Sequence, residues 1–166
     1  MAEYQTSPYQ QENARFMEQA IALALENIRA GLGGPFGAVI VKNGQVIAAG
    51  CNRVTSSNDP TSHAEVMAIR AACAALNAYQ LEGCDLYTTC EPCPMCFGAI
   101  YWAHIQHVYY GCVAADAANG GFSDQHIYTE IARPVDGRSV PFTPLMREQA
   151  LACFREWNRI EDRVVY

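Results

Sequence analysis

The feature that most narrows what this chain can be is a spaced pair of motifs, His-Ala-Glu at 63–65 and Pro-Cys-Pro-Met-Cys at 92–96. His63 offers an imidazole and Cys93 and Cys96 offer thiolates. Together they make three protein ligands for a tetrahedral zinc ion, one per subunit, and leave its fourth position to water. A reactive site needs that open position, whereas a structural site closes it. Cys93 and Cys96 are three residues apart, so on a helix they share a face, and at a helix N-terminus the unpaired N–H groups favour the thiolate form. Two thiolates cancel the formal charge of the ion and weaken its power to acidify water. Glu65 is therefore read as a separate proton carrier and not as a ligand. The backbone N–H groups of Ala64, Glu91 and Cys93, at helix entries beside the metal, are candidates for holding a substrate oxygen or developing charge. The rival arrangement is a closed structural site in which Cys90 joins His63, Cys93 and Cys96; it leaves Glu65 without a purpose.

Composition narrows the rest. The chain has 166 residues, 51% of them hydrophobic and 17% charged, which suits one folded domain spanning 1–166. No apolar run has the length of a bilayer crossing, and MAEYQTSPYQQ lacks a basic patch followed by an apolar stretch. These features set the expectation of a cytoplasmic protein with no membrane partner. Three of the eight cysteines crowd into CEPCPMC, which points to metal ligation over disulfides, while Cys51, Cys73, Cys84, Cys112 and Cys153 read as small buried hydrophobes. The net charge of −6 and a single lysine, Lys42, give no electrostatic track for phosphates, so a small molecule is favoured over nucleic acid. His104, His107 and His126 share no spacing with the cysteines and are read as surface or core residues.

Along the chain, Phe16, Met17, Ala20, Ile21, Ala24 and Ile28 recur at helical spacing, predicting a helix over 10–30 that ends at Gly31. FGAVIVK and QVIAAG flank Asn43-Gly44, a strong hairpin signal. Residues 53–60 read as a loop, with Thr61 or Ser62 capping a helix whose first turn holds His63 and Glu65. DLYTTC reads as a strand, Pro92 as the opening of a helix through MCFGAIYWA, and QHVYYG as a further strand, parallel to its predecessor because a helix connects them. AADAANGG reads as a turn, and helices follow near 122–132 and 143–158. The order is α-β-β-α-β-α-β, then mostly helix.

The segments GGPFGAVIV, SNDPTSHAEVMAIR, AYQLEGCDLYTTCEPCPMCFGAIYWA and GFSDQHIYTEI, with Asn52 and a terminal tyrosine, carry a resemblance over nearly the whole chain. On them the sequence resembles the cytidine deaminase superfamily and, within it, the bacterial guanine deaminases. The metal motif is shared with cytosine, riboflavin-pathway and tRNA adenosine deaminases, so the subgroup rests on the flanking blocks. The resemblance implies a three-layer α/β/α fold with a mixed central sheet flanked by helices. It also implies hydrolysis of guanine to xanthine and ammonia, with Glu65 carrying a proton to a ring nitrogen and then to the leaving amine. Asn52 is implied to hydrogen-bond the base, Phe36 and Trp102 to pack on the ring, Ala64 to offer its N–H, and Asp124 to pair with the N–H edge; the alternative for Asp124 is a helix cap. A homodimer is implied in which the segment 143–166 of one subunit covers the other's pocket, bringing Tyr166 to the substrate. Alternatives are ammeline or another triazine, cytosine, or tRNA adenosine as substrate, and, outside catalysis, a zinc-stabilised binding module.

Overall fold

The computed structural model describes residues 8–166, with side chains from residue 13 onward. The stretch 1–7, on which part of the targeting argument rests, lies outside the described residues. The chain divides into a unit ending at Asp124 and a second unit, Gln125–Tyr166.

In the first unit, α1 (Pro8–Arg29) leads into β1 (Gly37–Lys42) and β2 (Gln45–Cys51). Asn43 and Gly44 both take positive φ, 51° and 72°, as a two-residue hairpin turn demands. A single helical turn, α2 (Val54–Ser57), interrupts the stretch read as loop. Then come α3 (Ala64–Leu76), β3 (Cys84–Cys90), α4 (Pro94–Trp102), β4 (His107–Cys112) and α5 (Ala114–Asn119). The sequence reading treated AADAANGG as a turn. Here the Val113 N–H is held by the Asp116 carboxylate at 3.0 Å and the Ala114 N–H by Glu91 at 3.1 Å, and these two bonds secure the start of a short helix.

The strands form one sheet in the order β2-β1-β3-β4. β1 pairs antiparallel with both β2 and β3, and β3 pairs parallel with β4 across the α4 crossover. Alternation divides the sheet into two apolar faces. Val39, Val41 and Tyr87 pack with Phe16 of α1 on one side. Ala38, Ile40 and Leu86 pack with Ala68, Ile69 and Ala72 of α3 and Ile100 of α4 on the other. The fold is thus the expected mixed sheet between helical layers. Within the described residues no helix is long and apolar enough to cross a membrane.

Small residues set how closely α3 approaches. Ala64, Ala68 and Ala72 are fully buried, and they let the helix backbone settle onto β2 at Gly50. A Cβ at Gly50 would stand 2.4 Å from both Ala64 O and Ala68 N. These are backbone atoms of the turn that carries Glu65, so they cannot yield without moving it.

The second unit contains α6 (Gln125–Ala132), a 3-10 turn (Val135–Gly137) and α7 (Arg147–Arg159). It carries several exposed apolar side chains, among them Leu145, Phe154 and Val165.

Gly50→Ala is expected to lower stability by about 1–3 kcal/mol through overpacking, seen as a fall in thermal midpoint. Gly98→Ala in α4, where an added Cβ meets nothing within 4 Å, should leave the midpoint unchanged or raised. Equal midpoints for the two variants would refute the close approach.

Candidate active site: a metal centre at two helix starts

His63 and Cys93 are each the residue just before a helix. His63 caps α3 with φ −74° and ψ 155°, and Cys93 caps α4 with φ −64° and ψ 167°; both are extended. This corrects two details of the sequence reading. Thr61 and Ser62 do not cap α3, because both of their hydroxyls turn back to the Asp59 carboxylate at 2.7 Å. Pro92 does not open α4; Pro94 does, at the first helical positions where its missing N–H costs nothing. Cys93 therefore lies outside the helix and Cys96 in its first turn, one residue type presented from two backbone conformations.

Asp59 organises the approach to His63. It accepts the Thr61 and Ser62 hydroxyls and, at 2.8 Å, the Thr61 N–H. These bonds, the Thr61 hydroxyl foremost, hold its carboxyl down at about 2.

His63 Nδ1 lies 3.5 Å from Cys93 Sγ and 3.5 Å from Cys96 Sγ. Zinc bond lengths place nitrogen and sulfur ligands about 3.6 Å apart along a tetrahedral edge. The donor atoms all fall within 4.8 Å of one another, and among the described residues the set is confined to these three. The side chains present therefore fit zinc. Cys90 does not join the set. It is buried with its thiol directed at Val113 O, 3.8 Å away, and burial pushes that thiol up to about 11. Among the described residues the closed four-ligand arrangement is not formed.

Glu65, in the first turn of α3, is 5% exposed. Its Oε1 accepts the Thr88 hydroxyl at 3.2 Å and its Oε2 the Cys96 thiol at 3.4 Å. Burial raises its carboxyl above the ordinary carboxylate value. Of the two sulfurs, Cys93 favours the thiolate and Cys96 keeps its proton. The hydrogen bond with Cys96, aided by His63 and opposed by burial, draws Cys93 down to about 4, while the same bond and burial push Cys96 far up. Metal binding displaces that proton, since thiolates are the ligands. Once Cys96 is a thiolate it no longer donates to Oε2, which is then released from that bond. Thr88, which holds the other oxygen, was missed in the sequence reading; strand alternation through DLYTTC is the signal that places it on the α3 face.

Beside His63 lies a cavity of about 410 Å³ walled by Gly31, Gly33, Gly34, Asn52, Val54, Thr55 and Phe122, a size within the range of small-molecule sites. Asn52 Oδ1 accepts N–H groups from Gly34 at 3.1 Å and Val54 at 3.3 Å. Both lone pairs are thereby used, and Asn52 offers the cavity only its Nδ2 donor. Phe36 borders a separate apolar cavity and meets this one through Phe122, edge to face at 5.0 Å. Phe122 was absent from the sequence reading of the site. Trp102 closes α4, is 65% exposed, and is not part of the cavity wall. Ala64 is fully buried, and as the first residue of α3 its N–H has no intrahelical acceptor. The Glu91 N–H is not free for substrate, because it donates to Cys112 O at 2.9 Å. Asp124 ends the first unit and Tyr166 the second, the latter exposed.

A sheet crossed by helices, with one imidazole and two thiolates at paired helix starts and a buried carboxylate beside them, defines a class. Residues 10–112 match the family described as the cytidine and deoxycytidylate deaminase zinc-binding region, and the chain belongs to that family. Within it, the chain is 53% identical over 151 residues to the guanine deaminase of Bacillus subtilis, covering 91% of this chain and 97% of that one. The X-ray structure of guanine deaminase from Bacillus subtilis superposes with a TM-score of 0.90 at 52% identity, over 92% of this chain and 98% of that chain. A tRNA-specific adenosine deaminase of Agrobacterium fabrum is also 53% identical, but over 77 residues, 46% of this chain and 51% of that protein.

Proposed function

We propose that this chain is a hydrolase that converts guanine and water to xanthine and ammonia. The observation that carries the reading is a buried carboxylate, Glu65, held against the three-donor metal set without belonging to it. Similarity to a guanine deaminase over 97% of that relative's length supports the choice of base.

When bound by His63, Cys93 and Cys96, zinc supplies Lewis acidity toward an attacking water. Glu65 does the proton work. Its Oε2 accepts a proton from the water as the oxygen attacks C2 of guanine, and delivers it to the adjacent ring nitrogen. A second proton, taken from the hydroxyl now on C2, passes through the same carboxylate to the amino group; the C2 carbonyl forms as the C–N bond breaks, and ammonia leaves. Burial suits this role, because it raises the proton affinity of the carboxyl above the ordinary value and so favours taking the proton from water. Thr88 keeps Oε1 occupied, so the carboxylate cannot turn away.

Asn52 orients the base by donating from Nδ2 to a ring acceptor, and the Ala64 N–H, which has no intrahelical acceptor, does the same. Asp124, an acceptor when ionised, complements them by taking the base's N–H donors, and Phe36 backs Phe122 against the ring, whereas Trp102, outside the cavity wall, takes no part in covering it. The glycines at 33 and 34 let the loop lie directly on Asn52, where a Cβ at Gly33 would stand 2.0 Å from the Asn52 carbonyl oxygen. The free cysteines suit a reducing, cytoplasmic setting.

Glu65→Gln is expected to reduce ammonia release from guanine by about 10²–10⁴-fold, the worth of the proton transfer it removes, while zinc stays bound. The same assay should favour guanine over ammeline, cytosine, adenine and tRNA. Turnover retained by Glu65→Gln, or release from another of these compounds and not from guanine, would overturn the reading.

We further propose one domain over 1–166 acting as a homodimer, in which 143–166 of one subunit covers the other's pocket and presents Tyr166 there. The exposed Leu145, Phe154 and Val165 support it, since apolar side chains in this number gain by being covered. Removing residues 160–166 should cut turnover at least tenfold with zinc content unchanged; full activity in the shortened chain would dismiss the arrangement.

A further inference from the structure

Asn27 lies on α1, in neither metal motif, and is 3% exposed. Its Nδ2 donates to two backbone carbonyls, Gly34 O at 3.1 Å and Asn52 O at 2.9 Å. Turning the amide over would set its oxygen against both carbonyl oxygens, so the nitrogen faces forward. Its Oδ1 is buried with no hydrogen-bond partner among the described residues. Burying an amide with an unpaired acceptor is unfavourable, so what holds Asn27 in place is the pair of carbonyls its Nδ2 satisfies.

The two carbonyls belong to the residues that fix the substrate-facing amide. Gly34 N–H donates to Asn52 Oδ1, and Asn52 N–H donates to Phe36 O at 3.1 Å. The loop before β1 and the end of β2 are thus laced together over Asn52, so closely that a Cβ at Gly33 would stand 2.0 Å from Asn52 O. Asn27 is the clasp that joins both from a third element.

We infer that Asn27 is a positioning residue for substrate binding: it holds Gly34 and Asn52 in register so that Asn52 presents its Nδ2, and nothing else, to the ring. The inference rests on the reading of Asn52 as a contact to the base. Asn27 touches neither the metal donors nor Glu65, so its loss acts on binding and leaves the proton transfers alone.

The test is steady-state kinetics of the full-length, zinc-loaded protein with guanine, alongside zinc content and thermal midpoint. Asn27→Leu should raise KM by about tenfold or more, the loss of one well-placed hydrogen bond, with kcat within threefold and zinc unchanged. Asn27→Ser keeps one hydroxyl donor and should give an intermediate KM; it also carries the test if the leucine variant fails to fold. In an Asn52→Ala background, Asn27→Leu should change KM less than twofold, because Asn27 acts through Asn52. Unchanged KM in a folded, zinc-loaded Asn27 variant would overturn the inference. So would losses of kcat and KM that track loss of zinc, or full additivity with Asn52→Ala. A parent protein inactive on guanine would instead overturn the substrate reading itself.

Discussion

Everything at the site depends on two helices beginning side by side, each with a metal donor as the residue before its first turn. The starts of α3 and α4 point their unpaired N–H groups and positive dipole ends toward the place where His63, Cys93, Cys96 and Glu65 meet. Two thiolates and a carboxylate packed so closely would repel, and a divalent cation with two helix dipoles offsets that repulsion. The contacts of the centre therefore link fold and chemistry. β2 positions α3 through Gly50, β3 leads directly into Cys93, and Thr88 on β3 anchors the carboxylate that α3 brings.

The substrate side is built by a different means. It has no charged cradle. Its wall is backbone, drawn together by Asn27 and Asn52, with glycines where a side chain would intrude. Locked amides and carbonyls recognise a neutral heterocycle by the direction of its donors and acceptors, which suits a base that carries both on one edge.

Much of this was legible in the residues. The metal set follows from His-Ala-Glu and Pro-Cys-Pro-Met-Cys because ligand chemistry permits few other uses of that spacing. The sheet follows from Asn43-Gly44, the alternation in β1 and β3, and the helix between β3 and β4. The cap positions were not legible: Thr61 and Ser62 are good cap residues, but Asp59 competes for their hydroxyls and wins. Nor was the role of α5, whose alanines carry little pattern and whose start depends on Glu91 and Asp116. Asn27 reads as one more polar residue on an amphipathic helix, and only its burial and its two carbonyl partners set it apart. Phe122 was hidden for a similar reason, since a lone aromatic after two glycines does not say which cavity it borders.

X-ray absorption at the zinc edge of the purified, substrate-free protein tests the central claim most directly. The account requires two sulfur ligands near 2.3 Å and one histidine nitrogen near 2.0 Å, with a light oxygen scatterer completing four. Three sulfurs, a carboxylate in place of the imidazole, or a protein prepared without chelators that holds no zinc would contradict it.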